Sequence, residues 1–324
     1  MKPGQVVVTG GAGFLGSHLC EEWLGRGQRV VAVDNFLTGR RENVAHLLER
    51  PEFALIEQDV CEPLSLEGSV SLVMHLATPA SPVDFPRLPL EILRVNSAGT
   101  WNALDLALDK GGRFILASTS EVYGDPLEHP QIEDYRGNVN PVGPRAVYDE
   151  SKRFSEALTM AYGSFRGLNV GIARIFNTYG PRMRVDDGRA IPTFITQALA
   201  GEALTVFGDG NQTRSFCYVE DMVRGLIALA ESEVVGPVNL GNPDEVTILD
   251  TAGMIVEVSG SQSPVVHRPM PGDDPRRRQP DISRARKLLG WEPRVGLREG
   301  LARTIDHFRE ERQRHSCGGG TPTV

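Results

Sequence analysis

Gln5-Val6-Val7-Val8-Thr9-Gly10-Gly11-Ala12-Gly13-Phe14-Leu15-Gly16-Ser17-His18-Leu19 is the stretch that decides the fold. The apolar run at its start reads as a buried strand. The glycines that follow permit a tight turn and a close approach of backbone to a pyrophosphate, and they let the next helix pack near the strand. The amides at that helix start then face the phosphates. A second strand, Arg29-Val30-Val31-Ala32-Val33, ends at Asp34, which lies 18 positions past Gly16. An acidic side chain there binds the adenosine ribose hydroxyls of a dinucleotide. Its charge repels a 2′-phosphate, so the expected cofactor is NAD in preference to NADP.

Further along, strands and helices alternate, which predicts a doubly wound parallel α/β sheet of the Rossmann type. A loop with Thr38-Gly39-Arg40 leads into a helix expected through about residue 49. Later strands are predicted at Phe53-Ala54-Leu55-Ile56, at Ser71 to Ala77, at Arg113 to Ala117 and at Asn169 to Ile175. His75 alternates within its strand and reads as a packed core residue. Thr78 to Pro89 is proline-rich and reads as a loop over the active-site edge. Leu90 to Leu108 reads as a helix containing Asn96. The cofactor cleft is therefore expected to involve Gly10, Gly13, Phe14, Leu15, Gly16, Asp34, Asn35, Thr38, Gly39, Leu76, Ala77 and Asn96. Asp59 and Val60 either contact the adenine or cap a helix.

Beyond Phe176 the pattern changes. Asn177 to Arg182 is a turn-rich exit from the sheet, and helices are predicted near 190–200, 219–231, 247–259, 281–289 and 297–312. This predicts a smaller C-terminal substrate-binding lobe. Residues 1–177 with roughly 214–241 are assigned to the cofactor domain, roughly 178–213 and 242–312 to the substrate lobe, and 313–324 to a disordered tail. Arg182, Arg189, Arg214 and Arg276 to Arg278 recur in the second region. Arginines facing a cleft suit a polyanion such as a nucleotide diphosphate.

A formal net charge of −8 argues against nucleic-acid binding. The four cysteines, Cys20, Cys61, Cys217 and Cys317, have no zinc spacing and no paired framework, so no metal is expected, and Cys20 and Cys61, in elements that should be buried, are expected as reduced core thiols. No apolar run approaches the roughly 20 residues of a membrane span, and no signal peptide fits, so a cytoplasmic enzyme is expected.

The chemistry is carried by Ser118-Thr119-Ser120-Glu121-Val122-Tyr123-Gly124, at the C-terminal end of a strand, and by Tyr148-Asp149-Glu150-Ser151-Lys152. Ligands bind at that end of open α/β sheets. Tyr148 and Lys152 are four apart and share a helix face. An ammonium beside the phenol is expected to lower its pKa, making it a base for a sugar hydroxyl.

These segments resemble the extended branch of the short-chain dehydrogenase/reductase superfamily, which acts on nucleotide sugars. Within it the chain is similar, over roughly residues 5 to 312, to the UDP-glucuronate decarboxylase (UDP-xylose synthase) family. Gly137-Asn138-Val139-Asn140-Pro141 is the most specific match, beside Ala173 to Met183, Gln212 to Phe216, Val238 to Pro243 and Pro280-Asp281-Ile282. The resemblance implies that Thr119 and Tyr148 contact the sugar C4 hydroxyl, with Tyr148 as base and Lys152 on the nicotinamide ribose. It places Ser120 and Glu121 near C5 and the C6 carboxylate, and Asn177, Arg189, Gln212 and Arg214 on the substrate UDP-glucuronate, largely through its UDP; Arg182 is expected on the substrate as one of the cleft arginines. The resemblance also implies that Arg278 positions the sugar for decarboxylation to UDP-xylose. It further implies a homodimer built on residues 94–109 and 148–163. The loop departs from the family, which more often has Asn-Tyr where Asp84-Phe85 stand and Asn where Leu88 stands.

A 4,6-dehydratase usually carries an Asp at the position of Ser120, as an acid to expel water, and a 4-epimerase typically has small residues there. Ser120-Glu121 therefore favours decarboxylation, with dehydratase and epimerase chemistry as the alternatives. A non-enzymatic NAD-binding regulator is disfavoured because Thr119, Tyr148 and Lys152 are all present.

Overall fold

The computed structural model describes residues 4–269 and 277–317. Its centre is a seven-stranded parallel sheet built from β1 (Gln5–Thr9), β2 (Val30–Asp34), β3 (Phe53–Glu57), β4 (Val70–His75), β5 (Arg113–Thr119), β6 (Val170–Ile175) and the strand Pro237–Leu240. The spatial order is Pro237–Leu240, β6, β5, β4, β1, β2, β3, so the order reverses between β1 and β4. In β1 every valine is buried because both sheet faces are covered, as parallel sheets require. Val6 and Val8 face one core with Leu19 and Trp23 of α1 (Phe14–Gly25). Val7 faces the other with Leu104 and Tyr162.

Two segments differ from the sequence reading. In place of a helix after Asp34 there are two short 3₁₀ turns, Arg41–Asn43 and Ala45–Leu47. The Arg40 backbone N–H and the Asn43 side chain both donate to the Ala12 carbonyl, so tertiary hydrogen bonds tie this segment beneath the glycine turn. The helix expected over 90–108 is α2 (Pro89–Arg94), a π turn (Val95–Gly99) and α3 (Thr100–Lys110). The widened turn gives Asn96 room for its bonds. Its side-chain amide donates to Ile92 O and Ser151 Oγ, at 3.0 Å each, and its carbonyl oxygen accepts from Thr78 Oγ1 at 2.9 Å.

α4 (Ala146–Arg166) follows with Tyr148 and Lys152 on its inner face, both buried. Beyond β6 come α5 (Ala190–Ala200), α6 (Val219–Glu231), α7 (Ile248–Ser259), α8 (Ser283–Leu289) and α9 (Leu297–Cys317). α6 returns to the sheet and packs on α1, while α5 packs on α7 and α7 on α9. Leu204–Phe207 pairs in parallel with Val265–Arg268, and Thr213–Ser215 pairs antiparallel with Glu245–Thr247. α9 runs past residue 312, so 313–317 are helical and not part of an unstructured tail. Arg276 and residues 318–324 lie outside the described residues. His75 is fully buried between the hydroxyls of Thr9 and Thr100, and burial, with Lys152 nearby, pushes its pKa down to about 3. It is a neutral core histidine. Cys20 and Cys217 are buried free thiols, but Cys61 is only half-buried.

Candidate active site

A cavity of about 730 Å³ runs from the C-terminal ends of β1 and β2, past β5, to the elements beyond β6. Among the described residues singled out in the sequence for cofactor or substrate, all line it except Asn96 and the exposed Arg277. Asn96 lies behind the wall, bonded to Thr78 and Ser151, so it reaches the cavity only through its neighbours. That is a correction to its expected place in the cofactor cleft.

At one end is the glycine turn. A Cβ on Gly16 would stand 2.0 Å from Gly10 O, so only glycine lets helix and turn approach this closely. Asp34 is buried, with one carboxylate oxygen accepting from Ala12 N and the other from Phe36 N, both at 2.9 Å. Each oxygen keeps a lone pair for a ribose hydroxyl. The chain's own residues therefore form a cradle that fits a dinucleotide. Arg182 sits at this end: its guanidinium bonds Glu21 of α1 at 2.5 Å, and its N–H donates to His307 Nε2 of α9 at 3.1 Å.

In the middle, Thr119 ends β5, and its hydroxyl accepts from the Glu121 N–H at 3.2 Å. Tyr148 is 5 % exposed. Burial pushes its phenol above the ordinary range, with the Thr119 hydrogen bond pulling the other way. The expectation that Lys152 lowers this pKa is thus reversed in the free protein. The Lys152 ammonium is directed elsewhere, donating to Thr78 Oγ1 at 3.0 Å and Ala117 O at 2.9 Å. Burial pushes Lys152 itself down to about 7.

At the far end Glu121 meets two guanidinium groups. Arg278 bonds both of its carboxylate oxygens, and Arg145 bonds one at 2.7 Å. Burial alone would raise the Glu121 pKa, but Arg278 and then Arg145 override it and hold it down at about 2. Asp149 is buried alongside with Oδ1 unpartnered, and burial and then Glu121 push it up to about 7. Arg189 is held by Asp187, with Nε–Oδ1 at 2.5 Å and Nη2–Oδ2 at 2.8 Å. Gln212 donates to Phe207 O at 2.9 Å, while its buried Oε1 has no partner.

The sequence reading gave no role to Arg145, Thr78 or Asp187. Arg145, three residues before Tyr148 at the N-cap of α4, had a usable positional signal. Thr78 and Asp187 lie in loops, and only folding brings them to Lys152 and Arg189.

The NAD dependent epimerase/dehydratase family model matches residues 6–241, and the chain belongs to that family. The chain is 54% identical over 305 residues to UDP-glucuronic acid decarboxylase 1 of Arabidopsis thaliana, covering 94% of this chain and 70% of that protein. It is 53% identical over 307 residues to UDP-glucuronic acid decarboxylase 1 of Danio rerio, covering 95% and 73%. Among solved structures, UDP-glucuronic acid 4-epimerase from Bacillus cereus, in complex with UDP-glucuronic acid and NAD, superposes with a TM-score of 0.84. Its identity is 31%, covering 95% of this chain and 99% of that one. The dTDP-glucose 4,6-dehydratase of Streptomyces venezuelae, with NAD bound, gives a TM-score of 0.86 at 29% identity, covering 95% and 98%.

Proposed function

We propose that this chain is a UDP-glucuronate decarboxylase, converting UDP-glucuronate to UDP-xylose and carbon dioxide. Its identity to plant and animal decarboxylases along nearly its whole length supports the reading. Gly10, Gly13, Gly16 and Asp34 would hold the adenosine and pyrophosphate of NAD, and Lys152 its nicotinamide ribose; the bound cofactor would supply a reversible hydride acceptor for sugar C4. Tyr148 takes the proton of the C4 hydroxyl, with Thr119 beside it. As the carboxylate bond breaks, electrons flow to the C4 oxygen, which the Thr119 and Tyr148 hydroxyls stabilise; C5 then takes a proton, which restores the C4 ketone, and Tyr148 gives its proton back to the C4 oxygen as hydride returns to C4.

The observation that carries this reading is the Glu121–Arg278–Arg145 cluster. Two guanidinium groups and one carboxylate leave one positive charge in excess, enough to attract a uronate. Because Glu121 already neutralises Arg278, the arginine does not clamp the group that must depart. An ionised Glu121 and a Ser120 hydroxyl also offer no strong acid for expelling water, which disfavours dehydration. Asn177, Arg189, Gln212 and Arg214 are assigned to the UDP moiety. Residues 178–213 and 242–312 are assigned to the substrate lobe.

A homodimer is also proposed. Leu90, Leu93 and Trp101 on α2 and α3, and Phe154 and Phe165 on α4, expose large apolar side chains that pairing would cover.

The test is incubation with UDP-glucuronate and catalytic NAD, followed by nuclear magnetic resonance of the product and a carbon dioxide assay. UDP-xylose with matching carbon dioxide is expected. UDP-galacturonate without carbon dioxide would replace this reading with 4-epimerisation.

A further inference from the structure

We propose that Phe85 is a positioning residue for the Tyr148 phenol, and that the buried Asp84–Arg184 ion pair keeps it there by tying residues 81–88 to residues 181–189 across the cavity. The inference rests on the reading of Tyr148 as the base.

Phe85 stacks on Tyr148 with ring centroids 4.8 Å apart and planes inclined by 18°. The two rings form a small apolar cluster with Ile92 of α2, separate from the main cores. The Arg145 guanidinium lies over the opposite aromatic partner, 5.5 Å from the Phe85 centroid. Arg145 also holds Glu121, so one stack connects the Glu121 cluster to the phenol. A tyrosine side chain turns about two bonds, and a packed ring face removes much of that freedom. Hydride loss from C4 needs the phenol oxygen within hydrogen-bond reach of the sugar hydroxyl.

Phe85 itself sits in a loop with no regular structure, so something must hold it. Asp84 does so through a two-pronged pair with Arg184, at 3.1 and 3.2 Å. Its side chain is 5% exposed and that of Arg184 20%, so water screens the pair poorly. Two further contacts join the same loops. The Ser81 hydroxyl donates to Asp187 O. Gly188, in the left-handed region at φ 81°, packs so near Val83 that an added Cβ would lie 2.3 Å from it. Asp187 is in turn the partner of Arg189. The fastening therefore spans both walls of the cavity, from the phenol to a cation assigned to the substrate.

The readout is the C4 oxidation step, followed as NADH formation in a single turnover. That step precedes decarboxylation, epimerisation and dehydration alike, so the experiment stands apart from the identity of the final product. Phe85→Ala is expected to slow oxidation about 10- to 100-fold, the scale of a misplaced catalytic group. UDP affinity by calorimetry is expected to stay at the wild-type value. Phe85→Tyr keeps the stacked ring and is expected to retain the wild-type rate. Asp84→Ala and Arg184→Ala are each expected to slow oxidation, and the double variant to match the slower single within about twofold, as for coupled partners. The exchanged pair D84R/R184D is expected to recover rate over either single variant. Wild-type oxidation in Phe85→Ala, or single effects that multiply in the double variant, would overturn the proposal. If Phe85→Ala no longer binds NAD, the Asp84–Arg184 cycle decides alone.

Discussion

Glu121 and Arg278 are 157 residues apart in sequence, yet Arg278 spans both oxygens of the Glu121 carboxylate at the buried end of the cavity. One group comes from the end of β5 and the other from the segment before α8. If the sugar binds here as proposed, it meets a cation that Glu121 already satisfies.

Arg278→Ala removes the group proposed to position the sugar while leaving Thr119, Tyr148 and Lys152 intact. Carbon dioxide release is expected to fall about 10²-fold or more. NADH should still form slowly, read by stopped-flow absorbance beside a carbon dioxide assay. A parallel fall of both signals would mean that Arg278 serves general binding.

Tyr148→Phe removes the hydroxyl but keeps the ring stacked on Phe85. Oxidation at C4 is expected to drop about 10²–10⁴-fold, the usual scale for a lost general base. NAD and UDP affinities, measured by calorimetry, should hold. Near-normal turnover would identify another base.

Asp34→Ala is expected to narrow the preference for NAD over NADP. The carboxylate accepts from two backbone N–H groups, at Ala12 and Phe36, so its loss also loosens the turn. Weaker NAD binding is expected together with a relative gain for NADP. Equal affinity of the unaltered protein for both cofactors would remove the ribose role.

Lys152 sets a pH dependence of stability. Burial lowers its folded pKa to about 7 from an ordinary 10.5. The unfolded chain thus holds the extra proton between these values, and protons favour unfolding there. The contribution of Lys152 is fully favourable above the ordinary value and is lost as pH falls through about 7. Lys152→Met carries no proton. Its stability is expected to exceed that of the parent near pH 6, with the gap closing as pH rises toward the ordinary lysine value. Denaturant melts across that range measure it, and a pH-independent gap would contradict a depressed pKa.

The sheet was legible because parallel strands covered on both faces become continuous valine-rich runs, and because the glycine turn and Asp34 have fixed spacing. The placement of Thr119, Tyr148 and Lys152 was legible because Thr119 ends a strand and Tyr148 and Lys152 share a helix face. The protonation state of Tyr148 was not, since it depends on what surrounds the ring and on where the Lys152 ammonium points. The partners of Glu121, Arg189 and Lys152 were hidden for a similar reason: Arg278, Asp187 and Thr78 lie in irregular segments whose positions only packing determines. Local pattern also missed the 3₁₀ turns after Asp34, where bonds to the Ala12 carbonyl outweigh helix propensity.

The π turn at Val95–Gly99 has a consequence for how this enzyme tolerates changes in chain length. A π turn is an α-helix carrying one surplus residue. Deleting a single residue there, such as the partly exposed Ser97, would let α2 and α3 merge into one unbroken helix without removing any side chain that lines the cavity. The cost would fall on Asn96, whose bonds to Thr78 and Ser151 depend on the widened turn, and through Thr78 on the Lys152 ammonium. In this chain a length variant outside the cavity lining can therefore displace the buried Lys152 ammonium.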